Sequence, residues 1–360
     1  MTDSVLATEQ DHDHATTLLA LERPDYRRAY SDRTAWLMAC VSQLAYFRFN
    51  DLFEQLGSGD ALVGRLKKVI DAAATADSTP IKLSALNKII DAVAYDPAEE
   101  ERRLVRDLRA LGGSLIETFD EDGTQAILVR VEEGLILGFR GTEAMSVKDI
   151  RTDARANTRP CKTGGKVHSG FDDAYESVAR RISSVLERED LKGRPLFVTG
   201  HSLGGALATV TAKRLEHPAG IAACYTFGSP RVGDEEWVDG IKTPLYRLVN
   251  AADCVTMLPP GQNTTTVIAW AAQFVPWVGD RLRRKILTYL NGYMHGGNMR
   301  FLSNVSKGDY GSTRLVYAVS LVTRLRGLWE KQKLWKSFLS DHSVAVYRRK
   351  LAHVADRRNR

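Results

Sequence analysis

Between residues 110 and 260 short apolar runs alternate with amphipathic helical stretches, and that alternation leaves few folds open. The runs LIETF (115–119), QAILVRV (125–131), LILGF (135–139), PLFVT (195–199), IAACYTF (221–227) and LYRLV (245–249) have strand length and strand composition. Asp122-Gly123 joins the first two as a hairpin. Helical patterns fill 171–188 and 206–215. Strands separated by whole helices pair in parallel, and a parallel sheet needs helices on both faces. The expected class is therefore α/β, a mostly parallel central sheet flanked by helices.

One strand-to-helix junction carries chemistry. Gly200-His201-Ser202-Leu203-Gly204-Gly205 lies between PLFVT and ALATVTAKRL, where a sharp turn would push the Ser202 hydroxyl out of the sheet edge. Glycines two before and two after the serine leave room for the neighbouring strand and helix. The start of the following helix favours negative charge developing there. A nucleophilic serine needs a base, and the base needs an orienting carboxylate. Asp253 follows LYRLV, at the end of a strand where side chains reach such a site, whereas Asp234 and Asp239 sit beside Glu235 and Glu236 and read as surface residues. Only His295, His342 and His353 lie downstream of a plausible acid partner for Ser202, as the chain order serine, acid, histidine requires. An oxyanion hole needs two backbone N–H groups aimed at one point. Leu203 supplies one, and Thr142, after the strand LILGF, is placed for the other.

The remaining chain sets limits. At 44% hydrophobic and 26% charged it is ordinary globular material, and no run reaches the ~20 apolar residues that span a bilayer. Residues 1–25 are polar and acidic, without the basic start and apolar run of a signal peptide, and are expected to form a disordered tail. Their cluster Asp11-His12-Asp13-His14 has no partner ligands at helical spacing. Cys40, Cys161, Cys224 and Cys254 are far apart, giving neither a zinc site nor a disulfide framework. No metal or organic cofactor is expected, and the expected location is cytoplasmic. Residues 26–355 read as one domain with insertions near 58–98 (helical), 262–292 and 308–340 (amphipathic and basic).

Charge is uneven. Residues 281–360 hold 18 Lys/Arg against 4 Asp/Glu, a net +14 in a chain whose total is +6. Such a face is either simply solvated or held against an anionic membrane surface. Nucleic acid is not expected as a partner, since no recognition motif accompanies the charge.

GHSLGG (200–205), FRGT (139–142), VHSGF (167–171), FGSPRVG (227–233), NAADCVTMLPP (250–260) and DHSVAVYRRKL (341–351) together resemble the class 3 lipase family. YSDRTAWLMACVSQLAY (30–46) resembles that family's N-terminal helix. The resemblance implies an α/β-hydrolase fold, Ser202 as nucleophile, Asp253 as acid and His342 as base. His295, in YMHGG, resembles a family position that is usually structural. The implied activity is hydrolysis of lipid esters such as acylglycerols through an acyl-enzyme. A phospholipase or acyltransferase with the same triad, or a silent lipase-like module that binds a membrane or partner, are the alternatives. The family's lid corresponds to 143–166, which here is polar. A hydrophobic cap would have to come from 262–292, where Trp270, Phe274 and Trp277 share a helical face that either packs on the core or meets acyl chains.

Overall fold

A computed structural model of the chain describes residues 5–20, 30–47, 97–141, 158–251, 253–259, 292–306, 308–317, 319 and 341–358. The chain divides into two compact units, one of Met1–Ser4 with Phe47–Asp107 and one of Val5–Tyr46 with Leu108–Arg360. The single domain expected over 26–355 thus gives up its helical insertion to a separate unit. Most of that unit, and most of the segments 262–292 and 308–340, lie outside the described residues.

In chain order the elements begin with α1 (Glu9–Leu19), α2 (Asp32–Leu44), α3 (Pro97–Ala110), β1 (Ser114–Glu121), β2 (Thr124–Val131) and β3 (Gly134–Phe139). They continue with β4 (Thr158–Pro160), β5 (Lys166–His168), α4 (Ser169–Leu186), β6 (Leu196–His201), α5 (Leu203–Arg214) and β7 (Ile221–Phe227). Last come α6 (Glu235–Asp239), β8 (Leu245–Asn250), β9 (Asn298–Leu302), β10 (Leu315–Val316) and α7 (Val344–Arg358).

One sheet runs β1-β2-β3-β6-β7-β8-β9-β10. Strands β3, β6, β7, β8 and β9 are parallel, while the β1-β2-β3 meander and β10 are antiparallel to their neighbours. Leu135, Leu137, Phe139, Leu196, Val198 and Cys224 pack with Val178 and Ile182 of α4 and Leu207 and Ala208 of α5. The other face takes α2, and α7 packs on α2, which is why all thirteen residues of α2 are buried. Among them even the polar groups are matched: Thr199 on β6 hydrogen-bonds the Ser42 hydroxyl at 2.9 Å and donates to the Tyr225 carbonyl at 2.9 Å. A sheet with helices on both faces is the expected class, and the protein has an α/β-hydrolase fold.

Two expectations need correction. Within residues 1–25, expected to be a disordered tail, Glu9–Leu19 form α1, because the acids do local work. The Thr8 hydroxyl accepts from the Asp11 N–H, and the Asp11 carboxylate accepts from the Thr8 N–H, each at 3.1 Å, closing a capping box. Asp11 also receives Arg348 of α7 at 2.8 Å, and Arg348 donates to Gln43 of α2 at 2.9 Å. His14, from the same cluster, meets His353 edge-on at 4.8 Å. Beyond residue 260, where the sequence pattern assigns no strand, β9 and β10 extend the sheet. Both are short, and polar Asn298 and Arg300 interrupt the apolar pattern of β9. Arg300 lies over the rings of Tyr30 and Tyr317, at 4.8 and 4.7 Å.

Candidate active site

Ser202 occupies the one-residue gap between β6 and α5 with φ 57° and ψ −126°, backbone that a side chain adopts only under constraint. The constraint is visible. Its N–H donates to the Phe227 carbonyl of β7 at 2.9 Å. A Cβ on Gly200 would stand 2.1 Å from the Gly204 carbonyl oxygen, and one on Gly204 2.3 Å from that of Phe139, so only glycine fits either side of the serine.

The structure brings Ser202, His342 and Asp253 to one point. His342 Nε2 is 2.9 Å from Ser202 Oγ, and His342 Nδ1 is 3.0 Å from both carboxylate oxygens of Asp253. A carboxylate accepts, so Nδ1 carries the proton and Nε2 presents its lone pair to the serine hydroxyl. Ser202 is buried apart from its edge, Asp253 has no exposed surface, and the His342 side chain is 17% exposed.

Asp253 is fixed by groups that the sequence reading did not assign. Tyr347 donates its hydroxyl to Oδ2 at 2.6 Å, and the Val255 N–H donates to Oδ1 at 3.0 Å. The Tyr347 hydroxyl in turn accepts the Asn250 N–H at 2.9 Å. Asn250, last residue of β8, donates through Nδ2 to the Asp341 carbonyl at 2.7 Å and accepts from buried Lys350 at 2.6 Å. These bonds anchor the segment carrying His342 to the strand end that delivers Asp253. A polar residue closing an apolar strand, and a lysine on the face of α7 that also carries Tyr347 and Leu351, were the available signals.

The other candidates sit elsewhere. His295 donates from Nε2 to the Thr256 carbonyl at 2.6 Å and braces the loop after Asp253. His353 is on α7 facing α1, and His168 is buried against Phe171, 4.2 Å between ring centres. Asp234 caps α6 by accepting the Trp237 N–H at 2.9 Å, and Asp239 is exposed at the end of that helix. Leu203 opens α5, and its N–H has no hydrogen-bond partner among the described residues, as an oxyanion donor requires. Thr142 lies outside the described residues. The strand end before it passes directly beside the start of α5, and Arg140 is held there by its N–H on the Gln125 carbonyl at 2.9 Å. Of the two lid candidates, 262–292 lies outside the described residues apart from Gly292. The end of 143–166 contributes to the β4-β5 hairpin. Among the described residues no group of three or more His, Cys, Asp or Glu could hold a metal ion, and no helix is long and apolar enough to cross a membrane.

A mixed, mostly parallel sheet with a strained serine at the end of a central strand, an acid just after β8 and a histidine just before α7, defines an α/β-hydrolase with a Ser-His-Asp site. Residues 136–263 match the family model for lipases of class 3, and the family this chain resembles is that one, as its motifs implied. A secreted mono- and diacylglycerol lipase of Fusarium solani is 31% identical over 163 residues, 43% of this chain and 48% of that protein. A lipase of Rhizomucor miehei is 38% identical over 151 residues, 38% of this chain and 41% of that protein. The matched stretch is thus less than half the length of either relative. The crystal structure of a lipase from Rhizopus microsporus var. chinensis aligns with 82% of this chain and 91% of its own, at 22% identity and a TM-score of 0.47.

Proposed function

We propose that this protein is a serine carboxylester hydrolase of lipase type, acting on acylglycerols or similar lipid esters. The observation that carries the reading is the unbroken path from Ser202 Oγ through His342 to the buried Asp253 carboxylate. Ser202 Oγ attacks the ester carbonyl while its proton passes to His342 Nε2, and the new oxyanion lies against the Leu203 N–H, with Thr142 as the second donor. His342 returns the proton to the departing alcohol oxygen as the C–O bond breaks, leaving the acyl group on Ser202. Water, deprotonated by the same nitrogen, then releases the acid. Lipid esters are favoured as substrates because the similar proteins above carry the name lipase.

A fluorophosphonate probe tests the reading, since it bonds only to an activated serine. Stoichiometric labelling of Ser202 is expected, together with hydrolysis of p-nitrophenyl esters and of emulsified acylglycerol. Folded protein that takes up no probe would instead be a silent module.

The site of action we propose is an anionic membrane surface. The support is the cluster Arg281, Arg283, Arg284 and Lys285 and the basic stretch 314–336 with Trp329 and Trp335, whereas Arg348 and Lys350, counted in the same +14, are buried against Asp11 and Asn250. Each Lys or Arg near an anionic bilayer contributes about 1 kcal/mol, an effect screened over ~8 Å at physiological salt. Co-sedimentation with phosphatidylglycerol vesicles, weakening as salt is raised, is expected, with little binding to phosphatidylcholine vesicles. Equal binding to both vesicle types would leave this charge as a solvated face.

A further inference from the structure

We infer that His201 is a positioning residue for the base and that Tyr46 sets its tautomer, so that one imidazole ties the main chain of His342 to the nucleophile elbow. Its consequence for turnover rests on the hydrolase reading above; its existence rests on geometry alone.

His201 is the last residue of β6, immediately before Ser202, and is 5% exposed. Its Nε2 lies 2.5 Å from the carbonyl oxygen of His342. A carbonyl can only accept, so Nε2 carries the proton and Nδ1 is left as a bare acceptor. The Tyr46 hydroxyl, 2.8 Å from Nδ1, is its donor. Two partners of opposite kind therefore select one tautomer of a neutral ring. Burial above all, and then the His342 imidazole beside it, hold the His201 pKa well below the usual histidine range.

Neutrality matters at this distance. The two imidazole rings are 4.5 Å apart, so a charged His201 would oppose the imidazolium that His342 becomes when it takes the serine proton. A neutral His201 supplies a fixed donor without that cost. His342 is then held at both ends: its ring by Asp253, its main chain by the residue adjoining the nucleophile. The pair also supports the oxyanion side. A Cβ built on Gly141 would stand 2.3 Å from the Tyr46 hydroxyl and 2.7 Å from the His201 carbonyl oxygen, so Tyr46 and His201 pack directly on the turn that leaves β3. Tyr46 follows α2, a helix that contributes no nucleophile, base or acid. Its place in the site is to bring this hydroxyl to His201.

The test uses the full chain with His201→Leu, His201→Gln and Tyr46→Phe. The readouts are kcat and KM on a soluble p-nitrophenyl ester, the thermal midpoint, and the downfield proton resonance of the His342–Asp253 hydrogen bond. His201→Leu is expected to lower kcat by about 10- to 100-fold, the scale of a small misplacement of a reacting group, with KM little changed and the downfield proton broadened. His201→Gln, whose amide can donate to the same carbonyl, is expected to recover most of that loss and the resonance. Tyr46→Phe is expected to lose about three- to tenfold in kcat, since it removes only the group that selects the tautomer. Folded His201→Leu with wild-type kcat and an unchanged resonance would overturn the inference. If His201→Leu does not fold, Tyr46→Phe decides in the same way. A wild type that hydrolyses no ester, yet loses the downfield proton in His201→Leu and regains it in His201→Gln, would keep the positioning role and remove the hydrolase reading.

Discussion

Ser202→Ala is expected to lower ester hydrolysis by about 10⁴- to 10⁶-fold while leaving the protein folded. The loss follows from the chemistry: without Oγ there is no acyl-enzyme, and His342 Nε2 has no hydroxyl to deprotonate. What survives is the residual rate from substrate binding and oxyanion stabilisation alone. Folding is spared for two reasons. Serine and alanine share a Cβ, so the positive-φ strain at this position is the same in both. The bonds that shape the elbow are main-chain ones, the Ser202 N–H on Phe227 and the Gly205 N–H on the Ser202 carbonyl, and neither uses the side chain. Calorimetry alongside ester hydrolysis checks both halves. Activity within about tenfold of wild type would show that the reaction does not pass through this serine.

The elbow was legible because everything that makes it is local: a buried strand, a serine between glycines and a helix, all between Leu196 and Arg214. Asp253 was legible for a related reason, since the end of an apolar strand in a parallel sheet points to one edge. His342 was not legible from spacing. Chain order admitted His295 and His353 equally, and only the resemblance of its flanking residues separated them. What stayed hidden is the support around the triad, because it is made by contacts across the whole sequence. Tyr347 reaches Asp253 across 94 positions, Lys350 reaches Asn250 across 100, and Tyr46 reaches His201 across 155. No periodicity encodes such pairs. The amino terminus misled differently. Acids and histidines read as solvated when composition is the guide, yet Asp11 is consumed by a helix cap and a buried arginine. Strands β9 and β10 escaped because a short strand carrying an arginine under tyrosine rings has no clear alternation to detect.

The histidines give the second large effect. His342→Ala is expected to match Ser202→Ala in severity, because members of a triad act as a unit and losing the base leaves the hydroxyl un-ionised at neutral pH. His295→Ala is expected to act on stability. His295 Nε2 donates to the Thr256 carbonyl, and the Thr256 hydroxyl donates at 3.0 Å to the carbonyl of Asp253. Deleting the imidazole removes one brace from the loop that holds the acid, at a cost of about 1–3 kcal/mol for a carbonyl left without that donor. Asp253 itself keeps Tyr347, Val255 and His342 around its carboxylate, so its position survives the change. The two variants should therefore separate cleanly: His342→Ala with a near-native thermal midpoint and no turnover, His295→Ala with a lowered midpoint and kcat within about tenfold of wild type. A folded but inactive His295→Ala together with an active His342→Ala would transfer the base to His295. The 2.9 Å contact between His342 and Ser202 would then be a structural bond only.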